Sequence, residues 1–168
     1  DDFEAPAALT MTTLLKRYGL GCVAISAHMD TGAPDAEAML ARRLQFTASI
    51  GARHTITNAT THDRRSSFER TLTRNLRLAE QLGVVIALEN PGNGPDNLML
   101  DAARGAALVQ SFNSPFLRMN YDTSNALTCT EGHTRPETDI DFALPLSSHM
   151  HLKDVVHKDD RWHYVAIG

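Results

Sequence analysis

Three glycines mark off the first half of the chain at equal intervals. They close the pairs Tyr18-Gly19, Ile50-Gly51 and Leu82-Gly83, so successive pairs stand 32 residues apart. A helical pattern precedes each pair, and an apolar or β-branched run follows it. Glycine after a helix enters the left-handed conformation without a Cβ clash. The interval accommodates one helix and one strand. A unit of that size cannot bury both its faces alone, so neighbours must stack. The chain is thereby restricted to repeating α/β units around a parallel sheet.

The helices and strands can be assigned on this frame. Phe68, Leu72, Leu76, Ala79 and Leu82 form one apolar stripe, which predicts a helix over Ser66 to Leu82. Ser66 and Glu69 read as a capping box at its start. A second helix is predicted from Pro34 to Ile50, opening on Pro34 and Asp35. A third spans Leu98 to Phe112, interrupted by Gly105. Predicted strands are Cys22–Ser26, His54–Thr57, Val84–Leu88, Phe116–Asn120 and Ser148–Leu152. Val84 to Leu88 is apolar throughout, as a strand covered on both faces should be.

An open doubly wound sheet and a closed barrel both fit this alternation. The loop Glu89-Asn-Pro-Gly-Asn-Gly-Pro95 contains neither G-x-G-x-x-G nor a Walker lysine, so nucleotide fingerprints are absent. A full (β/α)8 barrel takes about 250 residues. The barrel reading therefore expects 168 residues to form one domain, an incomplete TIM barrel of about five βα units, lacking both ends.

Composition narrows the partners. Sixteen Lys and Arg against 20 Asp and Glu give a net charge of −4. That balance offers no general footprint for nucleic acid or an anionic membrane. No apolar run approaches the roughly 20 residues of a membrane span. Cys22 and Cys129 cannot build a disulfide framework or a cysteine-rich zinc site, and a reducing cytoplasm is the expected compartment. A small-molecule substrate is expected, and homo-oligomerisation stays open.

In parallel α/β folds the chemistry lies beyond the C-terminal ends of the strands. Here those ends read Ser26-Ala-His28-Met-Asp30, Asn58-Ala-Thr-Thr-His62, Leu88-Glu89-Asn90, Asn120-Tyr-Asp122-Thr-Ser-Asn125 and His149-Met-His151-Leu-Lys153-Asp154. Glu89 follows five apolar residues, where a carboxylate is costly unless it is paired or bound to a cation. Asp122 and His151 close the next two strands. If those strands are neighbours, the three side chains converge. Such a set suits Mn²⁺, Co²⁺, Mg²⁺ or Zn²⁺, with positions left for substrate oxygens. Strand alternation puts His149 and His151 on one face, with His151 nearer the rim. Taken singly, Asp122 reads as a helix N-cap. His54, His62, His133 and His163 read as hydrogen-bonded or solvated residues. The conjunction at three consecutive strand ends is what points to a metal.

These segments resemble the sugar isomerase/epimerase family, the xylose-isomerase-like TIM barrels, over essentially the whole chain. Ile25-Ser-Ala-His28 resembles the family's third strand, and Ala87-Leu-Glu89-Asn90 a later one. Tyr121-Asp122-Thr-Ser-Asn125 resembles its metal-binding Asp segment, and His149-Met-His151-Leu-Lys153-Asp154 its His-Leu-Lys-Asp strand. The resemblance implies Glu89, Asp122 and His151 as ligands of a divalent metal, Mn²⁺ first. It implies a fourth ligand, a Glu on a final strand towards which Trp162 to Gly168 leads, and two strands before Asp1. The implied activity is isomerisation or epimerisation of a small ketose, keto-polyol or sugar phosphate. Proton abstraction next to a metal-bound carbonyl would give an enediolate. Glu89 would be ligand and acid/base together, and Lys153 would offset oxyanion charge. His28, Asn125 and Asp154 are the expected substrate contacts. A lyase such as a dehydratase shares the ligands and the proton abstraction, and a non-catalytic binding barrel would share only the fold. The apurinic endonuclease branch fits less well: it needs a histidine where this chain has Asn125, and an Asp-x-His pair after His151 is missing.

Overall fold

The computed structural model describes residues 3–90 and 96–168. Most of the loop read above for nucleotide fingerprints, residues 91–95, thus lies outside the described residues. Helix α1 (Ala5–Arg17) leads into β1 (Ala24–Ser26), α2 (Ala36–Ser49), β2 (His54–Asn58), α3 (Arg65–Leu82) and β3 (Val85–Glu89). Then come α4 (Ala102–Ser111), β4 (Leu117–Asp122), the short α5 (Thr123–Thr128), α6 (Pro136–Ala143) and β5 (Ser147–His151). The five strands are parallel and lie in chain order, β1-β2-β3-β4-β5. A doubly wound sheet reverses its order at a switch point. This sheet does not, and it forms a half-barrel with helices between its strands, an incomplete TIM barrel. No described helix is long and apolar enough to cross a membrane.

The glycine interval does what the sequence requires of it. Gly19, Gly51 and Gly83 take φ of 63°, 77° and 66°, each just after a helix. After α4 the same left-handed place falls to Asn113, at φ 45°. Asparagine tolerates that region better than other side chains, so the turn recurs although the glycine spacing ends.

The core lies between the outward face of the sheet and the helices. Ile86 and Leu88 of β3 and Leu117, Met119 and Tyr121 of β4 are fully buried there against Leu40, Leu44, Phe68 and Leu72. Gly105 is the point of closest approach of α4. A Cβ on it would come 2.7 Å from the end of Met119 and 2.9 Å from that of Met99. The residue that weakens the helical pattern is the one that lets the helix dock. Asp139 of α6 accepts the Tyr121 hydroxyl at 2.9 Å and the Ala102 amide at 3.1 Å, joining α6, β4 and α4. The pairing of β4 with β5 carries a bulge: Met119 lies opposite Ser147, but Asn120 lies opposite His149.

Two local features differ from the sequence reading. The capping box does not form. Helix α3 starts at Arg65, with no side-chain cap on its first turn. A 3₁₀ turn over His62–Arg64 runs straight into it, so Ser66 already lies inside the helix. Glu69 instead takes the Arg65 guanidinium at 2.8 Å. After β5 the chain also forms an antiparallel hairpin, β6 (Asp154–Lys158) and β7 (Arg161–Val165). Its two-residue turn, Asp159-Asp160, has φ of 53° and 58°, the conformation that favours Asn-Gly, and lacks that signature.

Two stability outcomes follow. Gly83→Ala should lower unfolding free energy by about 1 kcal/mol, and Gly83→Asn by less, in urea titrations. Burial raises the Asp139 carboxyl above its ordinary 3.8, aided by Asp101 and opposed by the Tyr121 and Ala102 hydrogen bonds. The folded chain therefore holds that proton more tightly. The stability it contributes is full below 3.8 and is lost as pH rises through the raised value. Asp139→Asn abolishes this titration, so the variant should gain on the parent across that window in parallel unfolding measurements.

Candidate metal centre

The sheet register brings the strand ends level. Glu89 lies opposite Asn58 on one side and Asn120 on the other, and Asp122 lies opposite His151. With Met119 and Tyr121 turned to the helices, alternation turns Asn120 and Asp122 to the inner face. There His151 Nδ1 lies 3.1 Å from Glu89 Oε2 and 3.5 Å from Asp122 Oδ2. One ligand atom from each of these three residues falls within 4.8 Å of the others. Glu89 is only 4% exposed and Asp122 is fully buried.

Each carboxylate has a distinct setting. Glu89 Oε1 accepts the Asn125 amide at 3.1 Å, and Oε2 accepts the Asn120 amide at 2.8 Å. Burial pushes the Glu89 carboxyl up, with the Asp122 charge adding, against the pull of His151, His28 and Lys153. Asp122 Oδ1 caps α5, accepting the Ser124 and Asn125 amides at 3.0 Å and the Ser124 hydroxyl at 2.8 Å. Its Oδ2 is buried without a regular hydrogen bond, and the Lys153 ammonium faces it at 2.5 Å. Burial alone would raise the Asp122 carboxyl, but Lys153, the Asn125 amide and the Ser124 hydroxyl outweigh it and hold it low. The N-cap and the metal-ligand readings of Asp122 are therefore compatible, because each uses a different oxygen.

The remaining expected residues divide. His28 Nε2 lies 3.6 Å from Glu89 Oε2, while its Nδ1 meets Asn58 Oδ1 at 3.1 Å. Asn125 holds Glu89 and also donates to the Asn90 carbonyl at 3.1 Å. The Lys153 backbone exchanges two hydrogen bonds with the Thr123 hydroxyl, at 2.7 and 3.0 Å, which fastens it to α5. Burial would lower the Lys153 ammonium, but Asp122 and Glu89 hold it above its ordinary value, so it stays charged. Asp154 opens the hairpin, and its carboxylate accepts the Gly168 amide at 3.4 Å.

Two amides that sequence reasoning left without a role build the site. Asn90 accepts the Asp122 amide at 2.6 Å and donates to the Asp122 carbonyl at 2.9 Å. Its side chain thus extends the β3–β4 ladder one step past the strand end. Asn120 donates to Glu89, accepts from His149 Nδ1 at 2.8 Å and lies 3.2 Å from His151 Nδ1. Its signal in the sequence is its place two residues before Asp122, which assigns it the same face.

Two carboxylates and an imidazole, each with one ligand atom within 4.8 Å of the others, fit a divalent cation of the Mn²⁺, Co²⁺, Mg²⁺ or Zn²⁺ group. Over residues 1–168 the sequence matches the family described as xylose isomerase-like TIM barrel. A search of curated proteins finds no match. Among solved structures, the fold is similar to a D-tagatose 3-epimerase-like protein, with TM-score 0.78 and 16% identity over 94% of this chain and 65% of that one. It is similar also to 3-keto-D-glucoside 4-epimerase from E. coli, with TM-score 0.73 and 13% identity over 88% and 65% of the two chains. A probable 3-DHS dehydratase from Bacillus anthracis gives TM-score 0.70 and 16% identity over 92% and 59%. The chain spans less than two thirds of each of these three, and the likeness is one of fold.

Asn90→Ala should leave the buried Asp122 amide without its side-chain acceptor. The expected loss is about 1–3 kcal/mol of unfolding free energy in urea titrations. An unchanged midpoint would show that this side chain does not extend the ladder.

Proposed function

Because the chain belongs to the xylose isomerase-like TIM barrel family, we propose that it carries the metal centre of an isomerase or epimerase. The proposed substrate is a small ketose, keto-polyol or sugar phosphate, and the proposed compartment is the cytoplasm. The observation that carries this reading is the meeting of Glu89, Asp122 and His151 within 4.8 Å. These three would hold a divalent cation, Mn²⁺ first, with Co²⁺, Mg²⁺ or Zn²⁺ as alternatives. When bound, the cation supplies positive charge that polarises a substrate carbonyl and offsets the charge developing on its oxygen.

The chain's own residues do the rest. Glu89 takes the proton from the substrate carbon beside the carbonyl. Burial makes its carboxylate a better proton acceptor, while a bound cation would pull the other way. Asn120 and Asn125 fix the direction of its two oxygens. Return of the proton to the former carbonyl carbon, with the neighbouring hydroxyl's proton passing to the former carbonyl oxygen, completes an isomerisation. Epimerisation needs a second acid on the opposite face of the substrate. The Lys153 ammonium, held charged by Asp122, lowers the cost of negative charge on the substrate oxygen. His28, 40% exposed at the mouth of the site, hydrogen-bonds a substrate hydroxyl. Asn125 and Asp154 complete the proposed substrate contacts.

Glu89→Gln in the full-length protein with Mn²⁺ should lower turnover of the responsive ketose by about 10²–10⁴-fold or more, with circular dichroism unchanged. Full activity would remove Glu89 from the mechanism. His151→Ala should lose stoichiometric Mn²⁺ in calorimetry, and unchanged stoichiometry would reject it as a ligand.

A further inference from the structure

A second cavity on the strand-end side of the molecule has no part in the chemistry above. It measures about 740 Å³ and lies between the loop joining α5 to α6 and the β6–β7 hairpin. Its distinctive wall is Trp162, flanked by His157, Arg135, Glu131 and Asp160. The indole is supported from two directions. Trp162 pairs with His157 across the hairpin, the ring centroids 4.9 Å apart. Gly132 underlies its edge, where a Cβ would come within 3.6 Å of the ring.

The lining discriminates among ligand classes. Two carboxylates disfavour an anion, and Arg135 disfavours a cation. A purely apolar ligand would strip water from all three charges without replacing its hydrogen bonds. A neutral ring with one C–H face and a rim of hydroxyls satisfies every element. Its face lies on an aromatic side chain, and its hydroxyls both accept from guanidinium and donate to carboxylate. The volume falls within the range of small-molecule sites. The cavity's walls continue the metal centre's own elements. Leu127 follows Asn125 by two residues, Val155 follows Lys153 by two, and the Thr123–Lys153 hydrogen bonds join the two walls.

We propose that this groove is a saccharide subsite that takes a neutral hexose ring against Trp162. The choice of a sugar over other neutral polyols rests on the function proposed above. Trp162 is the only tryptophan among these 168 residues, and loss of the emission change in Trp162→Phe assigns it to this groove. The test titrates the full-length protein with methyl glucoside, methyl galactoside and a glucose disaccharide. At least one should give a saturable emission change at millimolar concentration. Arg135→Ala and Glu131→Gln, both at exposed positions, should each weaken it at least tenfold. A response to methyl hexosides identifies a free sugar as sufficient. A response to the disaccharide alone identifies the ring as part of a larger substrate. No saturable change with any probe would overturn the proposal, as would a change that survives both substitutions. Mn²⁺ calorimetry tests the metal centre independently, so either reading can fail while the other stands.

Discussion

Two carboxylates sit buried side by side at the ends of adjacent strands, and much of the inner face answers that burden. Glu89 and Asp122 together would repel and would each forfeit hydration. The surrounding groups divide the load unequally. Asp122 receives the ammonium and the helix amides and is held ionised. Glu89 receives two side-chain amides and remains the easier of the two to protonate. Identical carboxylate chemistry thus yields one acid held ionised and one that takes a proton more readily, by environment alone.

The repeat supplies the geometry on which this division depends. Equal units bring successive strand ends to the same level, so residues far apart in sequence become lateral neighbours. Beyond the strand ends, side chains take over from the backbone. The Asn90 carboxamide continues the ladder, Asp122 Oδ1 starts α5, and the Thr123 hydroxyl grips the Lys153 backbone. Each of these contacts stiffens a residue that faces the site.

The fold is largely legible in the sequence because its signals are periodic. The glycine interval, the apolar run before Glu89 and the alternation around His149 and His151 each carry directional information. What escapes is local or non-periodic. The Ser66–Glu69 pair has the spacing of a capping box, but the chain's path through the His62–Arg64 turn fixes the helix start one residue earlier. The hairpin escapes because Asp159-Asp160 adopts a glycine-like turn without glycine. The three metal-ligand candidates are legible at strand ends. Asn90 and Asn120 are not, since an asparagine there reads equally well as a turn residue. Only the register shows that each faces a carboxylate or the strand that bears one.

The bulge between β4 and β5 decides which way the last strand faces. Side chains alternate strictly, so a slip of one residue inverts a strand. With uninterrupted pairing beyond Met119 and Ser147, His149 would lie level with Tyr121, and Met150 with Asp122. Both imidazoles would then point among the helices, and a thioether would stand beside the carboxylates. Ser148 is thus a phase-setting insertion: it contributes no ligand atom, yet its presence puts the histidines in step with the acids.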